Sequence, residues 1–439
     1  MDDRGYRERL LAAPMSRFQI KAVSLVIALC ALDGFDVFAI TFVIPQLERE
    51  WGVGKAELGL VLSAGLFGMA AGSLLIAPLA DIWGRRRVLL PSLLLVTAGT
   101  AWSAVTHGPL DLGLSRLATG IGIGAMIAII NPLAAEYANA RRRDLCVTLL
   151  NLGFPVGAIA GGMIAAWILP QFGWRMLFLC AAMLGVVMLL LAARWLPEPV
   201  ASLLARPAPA TLGRVNAYLR LCNQPELSAL PPSRLPSDDT RQDRPSALSL
   251  LARRDMALLT MRVISVYFLY VMSLFYIQSW IPAMVVGAGF TTSQAAHVSV
   301  WMNGGGIAGG LLLGLVASRI GLRQCVALAF AAGAAAIALF GFATGHIMAL
   351  SVMAALLGCF TIGGMAGLYA VVSRSFPAEA RASGTGLVIG IGRLGSAIAP
   401  ATGGLLFALG FSQLLVSTMM AVPAIIAAIL VLSLPLRKD

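Results

Sequence analysis

Two carboxylates, Asp33 and Asp36, stand in the middle of an apolar run that extends from Ile20 to Pro45. A charge at hydrocarbon depth costs ~2.5 kcal/mol or more on insertion scales, so it normally faces a cavity or a partner. Residues three apart share one face of a helix, which puts both acids on the same side. Paired acids in such a place are suited to exchanging protons, or to holding an ion or a solute. The plainer use is as packing acids tied to basic side chains. At both positions the exchanging use is the one carried forward.

Two arginines lie at useful depth. Arg116 opens the second turn of a run that starts at Pro109, ~10 Å from its outer end at helical rise. Asp36 lies ~15 Å below the outer end of its own run, so the two can meet. Arg116 then either neutralises Asp36 or binds a solute carboxylate, and both uses stay open. Arg393 sits near the middle of another run, among Gly390, Gly392 and Gly395. A guanidinium fits a carboxylate in a two-pronged geometry, and the glycines let a second backbone approach. Arg393 is therefore the first choice for an anionic solute, ahead of a structural ion pair.

Other polar groups in the apolar runs must be satisfied internally. Asn131, Gln278 and Asn303 are of this kind, with Asn151, and any of them can bond a ring hydroxyl. Tyr270 and Trp280 lead the aromatic side chains able to stack on a ring, beside Tyr267, Phe275, Tyr276 and Trp301. Packing or interfacial anchoring is the commoner role of any one of these.

The elements that must position these residues are membrane spans. Of the 439 residues 59% are hydrophobic and only 12% charged, against about 25% charged in soluble domains. Such a surface does not suit water. The first run is too long for a signal-peptide core and carries acids, so it is expected to be retained as a span. The net charge of +12 is not a nucleic-acid signal, because Arg and Lys collect in alternate loops. By the positive-inside rule both termini and the long central loop are expected in the cytoplasm, with attraction to membrane lipid as a side effect. Six cysteines are scattered singly and three histidines lie far apart. Neither a metal site nor a cofactor is expected.

Twelve stretches reach the ~20 apolar residues that a spanning helix needs: 20–46, 56–80, 87–106, 109–137, 145–169, 174–196, 257–287, 292–318, 322–343, 346–375, 381–409 and 411–435. The predicted organisation is a cytoplasmic N-terminus (1–19), six helices (20–196), a proline-rich polar linker (197–256), six helices (257–435) and a short cytoplasmic end (436–439). Segments such as 211–221 are candidates for short interfacial helices. One repeat is visible across the two halves. Ala77-Pro-Leu-Ala-Asp81-Ile-Trp-Gly84-Arg85-Arg86-Arg87 follows span two, and Gly314-Leu-Val-Ala-Ser318-Arg319-Ile-Gly321-Leu-Arg323 follows span eight. Duplicated halves around a midplane site are the usual build of secondary transporters.

The first copy resembles the loop signature of the major facilitator superfamily, with Ala77 for the leading glycine and Ile82 for the common arginine. Arg116-x-x-x-Gly120-x-Gly122-x-Gly124 and Gly153-Phe-Pro155-x-Gly157 agree with it. Asp33-Gly34-Phe35-Asp36, Glu136-Tyr137 before three arginines, Ser279-Trp280-Ile281-Pro282 and Gly390-Ile-Gly-Arg393-Leu-Gly395 are similar to the aromatic acid:proton symporters. Asn131-Pro132 and Pro155 depart from that pattern. The resemblance implies an all-α integral membrane fold of 12 transmembrane helices in two pseudo-symmetric six-helix bundles. It implies that Glu136 is a coupling or gating acid, with a surface ion pair to Arg141 or its neighbours as the equal alternative. Asp81, Gly84, Arg85 and Arg86, with Arg319 in the second copy, read as a conformational latch.

The expected function is proton-coupled uptake, by alternating access, of a small aromatic carboxylate such as 4-hydroxybenzoate, protocatechuate or benzoate. The protein is expected to work as a monomer in a bacterial inner membrane. The competing function is a carrier for another organic anion, or a drug/proton antiporter. A membrane enzyme is disfavoured because the chain has no nucleophile–base pair, metal-ligand set or phosphate loop. A sensor is disfavoured because the linker is too short for a signalling domain.

Overall fold

The computed structural model describes residues 10–204, 209–230, 254–342, 345–377 and 381–435. The linker's middle and the C-terminal end expected at 436–439 lie outside them. Among the described residues the long elements are all helices: α1 (Arg17–Trp51), α2 (Lys55–Ala71), α3 (Arg85–Ala104), α4 (Pro109–Tyr137), α5 (143–172), α6 (174–195), α7 (Arg254–Gly287), α8 (Thr292–Ile320), α9 (Leu322–Phe340), α10 (Ile347–Ser375), α11 (Arg381–Ala408) and α12 (Gln413–Leu432). α5 and α6 run on as one hydrogen-bonded stretch, Arg143–Trp195, and are divided at Gly173, whose φ of 74° breaks the helical path. Twelve helices alternate in direction, so Arg17 and Leu432 stand on one membrane face, here the termini face. Lys55 stands on the opposite, far face.

Local chemistry explains the ends. Ser16 and Thr291 open α1 and α8 with capping boxes completed by Gln19 and Gln294, satisfying orphan donors of the first turn. Gly52 closes α1 in the left-handed region at φ 63°. The repeated loop has one backbone shape in both copies. Gly84 lies at φ 111°, ψ 143° before α3, and Gly321 at φ 90°, ψ 140° before α9. A side chain is strained at such φ, which accounts for glycine as the fixed point of a repeat whose other residues differ.

The halves are built alike. α1 packs on α5 and α7 on α11; α2 packs on α4 and α8 on α10; α3 packs on α5–α6 and α9 on α12. Between halves, α2 meets α11 and α5 meets α8. Lipid gives apolar helices no reason to prefer each other, so close backbone packing through small residues takes over. A methyl group on Gly120 or Gly124 would strike the α2 carbonyls of Gly65 or Met69, and one on Gly305 or Gly309 would strike the α10 carbonyls of Ala355 or Cys359. α2 ends in a π-helical segment, Gly72–Ile76, followed by a short helix, Leu79–Trp83. The amphipathic helix Thr211–Leu221 does not lie free. It folds onto the N-terminal half, with Tyr218 stacked on Tyr137 at 6.4 Å and edge-on to Phe18 at 5.6 Å.

The halves are closed against each other toward the far face. A methyl on Gly59 of α2 would sit 2.7 Å from the Pro400 carbonyl oxygen, and one on Gly404 of α11 would strike the Lys55 carbonyl. Beside them the Ala401 N–H donates to Ser63 Oγ at 3.0 Å. Lys55 Nζ stands 5.2 Å from the centre of the Phe407 ring. On the other seam, a methyl on Gly162 of α5 would meet Val300 of α8 at 2.7 Å. Gly404→Val should wedge α2 from α11 here. With the six native cysteines replaced, Thr41→Cys in the inter-half cavity should then react several-fold faster with an impermeant maleimide added on the Lys55 side. Unchanged labelling would show that this glycine contact does not hold the far face shut.

Candidate functional site

The two acids of α1 have different surroundings. Asp36 is held entirely within the N-terminal half. Arg116 Nη2 donates to Asp36 Oδ2 at 2.7 Å and to the Asp36 carbonyl at 3.1 Å, while Nη1 reaches Oδ1 at 3.3 Å. Thr100 of α3 donates its hydroxyl to Oδ1 at 2.7 Å. The Phe178 ring lies 5.7 Å below the guanidinium, adding a cation–π contact. Asp36 and Arg116 are 1% and 3% exposed. A buried pair of this kind persists only with good geometry and satisfied lone pairs; the Asp36 carboxylate has both, and among the described residues Arg116 Nε alone of this pair is left without a partner.

Asp33 has neither. It is fully buried, and neither carboxylate oxygen has a hydrogen-bond partner among the described residues. Its neighbour Gly34 presses against the Phe154 carbonyl of α5, where a side chain would collide. Among the described residues no ion pair or hydrogen bond reaches Asp33; the charges of Asp36 and of Arg393 on α11, in the other half, act on it from beyond contact distance. Arg393 itself is half-buried, and its Nη1 is buried without a hydrogen-bond partner among the described residues. An acid in one half and a guanidinium in the other are thus each short of hydrogen bonds among the described residues and within electrostatic range of one another.

A narrow cleft lies between α1, α2 and α7, one helical turn and more from Asp33 toward the far face. Val37, Leu62, Leu66 and Phe275 make it apolar, while Gln278 and Ser279 are its polar edge. A second narrow space shares Val37, Ile40, Leu62 and Leu66 and reaches Arg116. Ala397, one turn above Arg393, packs with Leu66, Met69 and Phe275. The charged pair therefore lies at the termini-side end of this apolar space. An apolar cleft with few polar groups is the usual form of a small-ligand site. On the termini side, Leu74 of α2 lies against Gly390, where an added methyl would meet it at 2.9 Å.

The remaining expected contacts divide. Gln278 lines the cavity. Tyr270 instead stacks on Phe330 at 3.6 Å and donates to the Thr361 carbonyl at 2.5 Å, and Trp280 donates to the Pro400 carbonyl at 3.1 Å and packs edge-on to Phe407. Each is 1% exposed. Both are therefore packing residues of the C-terminal half, with no face left for a solute. Asn303 and Asn131 turn their amides back onto the carbonyls of Ser299 and Ile127 in their own helices.

At the termini face, Glu136 is bridged by Arg85 at 3.0 Å, while Asp81 is 83% exposed and only 4.0 Å from the same arginine. Arg319 is exposed. The residue that organises the first loop is one the sequence motifs do not contain. Glu198, just past α6, accepts the backbone N–H of Arg85 at 2.6 Å and of Arg86 at 3.1 Å. A carboxylate at the first N–H groups of α3 compensates the positive end of that helix. Its only sequence mark is its place between Pro197 and Pro199. Thr100, the second partner of Asp36, has no mark at all, since a threonine among apolar residues normally bonds its own helix.

Comparison with known proteins agrees with this architecture. The Major Facilitator Superfamily model matches residues 26–305 and 263–439. A gallate transporter of Pseudomonas putida is 30% identical over 429 residues, covering 96% of this chain and 92% of that one. A 4-hydroxybenzoate transporter of the same species is 29% identical, covering 95% and 92%. A benzoate transport protein of Acinetobacter baylyi is 23% identical, covering 95% and 90%. Among solved structures, the crystal structure of a D-xylose–proton symporter superposes with a TM-score of 0.69 at 16% identity, covering 94% of this chain and 97% of that one. The chain belongs to the major facilitator superfamily, and its relatives of 28–30% identity there are transporters of aromatic acids.

Proposed function

We propose that this protein is a proton-coupled importer of a small aromatic carboxylate, of the class of 4-hydroxybenzoate, protocatechuate or benzoate. The observation that carries the reading is the Asp33–Arg393 pair, an unpartnered acid in one half opposite an incompletely bonded guanidinium in the other. The apolar cavity beside it supports a ring as the rest of the solute. In this reading the termini face is cytoplasmic, the membrane is the bacterial inner membrane, and one chain is the working unit.

The mechanism follows from charge. While Asp33 is ionised it competes for Arg393 with any incoming carboxylate. Protonation of Asp33 from the outer side releases the guanidinium, which takes the solute carboxylate in its two-pronged fit. The loaded centre then carries one positive charge on Arg393 and one negative charge on the solute, with Asp33 neutral. No net charge remains to oppose the rocking of the halves. Each pH unit of gradient supplies about 1.4 kcal/mol per proton, and each 100 mV of membrane potential about 2.3 kcal/mol per charge moved. Asp36 stays paired with Arg116 throughout as a fixed strut.

Labelled 4-hydroxybenzoate, protocatechuate and benzoate should each be tested with the purified protein in proteoliposomes. At least one should accumulate when an inward proton gradient is imposed and leak out when it is collapsed. Failure of the whole panel would end the aromatic-acid reading. The two acids should separate cleanly on mutation. Asp33→Asn should abolish gradient-driven accumulation but keep counterflow, with a thermal midpoint unchanged or raised. Asp36→Asn strands a buried guanidinium at a cost of about 3 kcal/mol or more, so its midpoint should fall clearly. Equal midpoints for the two variants would place Asp36 outside any structural role.

A further inference from the structure

Arg393 is preceded by Gly392, and the space a side chain would need there is already filled. A methyl group on Gly392 would strike Cδ1 of Tyr267 and lie 2.9 Å from its Cγ. Only glycine leaves room for this ring to lie directly against the backbone of α11, one residue before the guanidinium. Tyr267 comes from α7, is 1% exposed, and interacts through its hydroxyl with both Arg393 and Tyr369 of α10. The two tyrosine rings meet edge-on with centroids 6.2 Å apart, and Tyr369 is 43% exposed. Three helices of the C-terminal half thus converge on one side of Arg393.

Donor and acceptor rules fix the direction of this contact. Arginine only donates, so the Tyr267 oxygen accepts from the guanidinium and its own proton is left for the oxygen of Tyr369. An arginine side chain has many rotamers to lose, and among the described residues Nη1 of this half-buried one has no hydrogen-bond partner. We propose that Tyr267, seated by Gly392 and backed by Tyr369, is the positioning residue that aims the Arg393 guanidinium at the seam where Asp33 and the solute carboxylate compete for it. This rests on the proposed function, since it presumes that Arg393 takes a carboxylate. Tyr267 does not touch the solute. It acts through Arg393.

The test is a double-mutant cycle on the full chain in proteoliposomes, using whichever aromatic acid of the panel the wild type exchanges. Tyr267→Phe keeps the ring and removes the oxygen. A hydrogen bond to a charged group is worth about 1.5 kcal/mol or more, so the half-saturating concentration should rise about tenfold. Maximal counterflow should stay within about twofold, because the helices still pack. Gly392→Ala, which displaces the ring, should reproduce the rise. In an Arg393→Lys background the same Tyr267→Phe change should have no further effect on half-saturation, since the two-pronged guanidinium it aims is gone. Independent multiplication of the two effects would overturn the proposal, as would an unchanged half-saturation in Tyr267→Phe alone. A wild type that exchanges no aromatic acid removes the parent reading and this one together, an outcome distinct from a transporting wild type with an indifferent Tyr267.

Discussion

Everything in this molecule is arranged around the expense of keeping ions out of water. A carboxylate taken into a low-dielectric interior is tolerated when its charge is matched and its lone pairs are bonded. Asp36 meets that demand with Arg116, with Thr100 and with the Phe178 face beneath the guanidinium. All of these come from the N-terminal half, so the pair moves as part of one rigid body. Asp33, one helical turn away, meets none of it within its own half. Two identical side chains on one face of one helix are thereby given opposite tasks. The paired acid stabilises a single arrangement, and the unpaired acid gains or loses by what the opposite half and the solution present to it.

The second constraint is that apolar helices in lipid have no hydrophobic reason to associate. Cohesion comes instead from backbones brought into contact at glycines, and the molecule uses this in two ways. Inside each half the contacts are long, as along α2–α4 and α8–α10, where glycine after glycine meets a carbonyl. Across the seam glycines also meet the other half: Gly59 and Gly404 at the Pro400 and Lys55 carbonyls, Gly390 at Leu74, and Gly162 at Val300. What the seam lacks is polar bonding: among the described residues one hydrogen bond, from the Ala401 N–H to Ser63, crosses it, so it can open without breaking the bonding inside either half.

Hydropathy made the twelve helices legible because each span must be apolar for its whole length. Two places needed more than hydropathy. α5 and α6 have no polar loop between them and are parted only by the conformation of Gly173. α11 is diluted by Arg393 and its glycines, and it is absent from the ten stretches that pass on hydropathy and length. Depth along a helix was also legible, which is why Arg116 could be placed level with Asp36. Direction around a helix was not. The periodicity of an apolar run is flat when lipid and protein interior are both apolar, so nothing marked Tyr270 and Trp280 as turned into the C-terminal half, or Tyr369 as turned out of it. Thr100 and Glu198 were hidden for the related reason that their partners are remote in sequence: 64 residues separate Thr100 from Asp36.

The placement of Asp33 and Arg393 in different halves ties chemistry to motion. An attraction between two charges within one half has the same value in every state of a rocking carrier and cannot drive the exchange between states. An attraction across the seam changes as the halves turn, because its distance and its access to water change together. In the proposed mechanism a proton on Asp33 deletes that attraction, and a carboxylate on Arg393 replaces it with one to the solute. Either event alone alters the charge at the seam, and only both together restore neutrality. Under the proposed mechanism coupling needs no relay between distant sites, since proton and solute act on the same guanidinium.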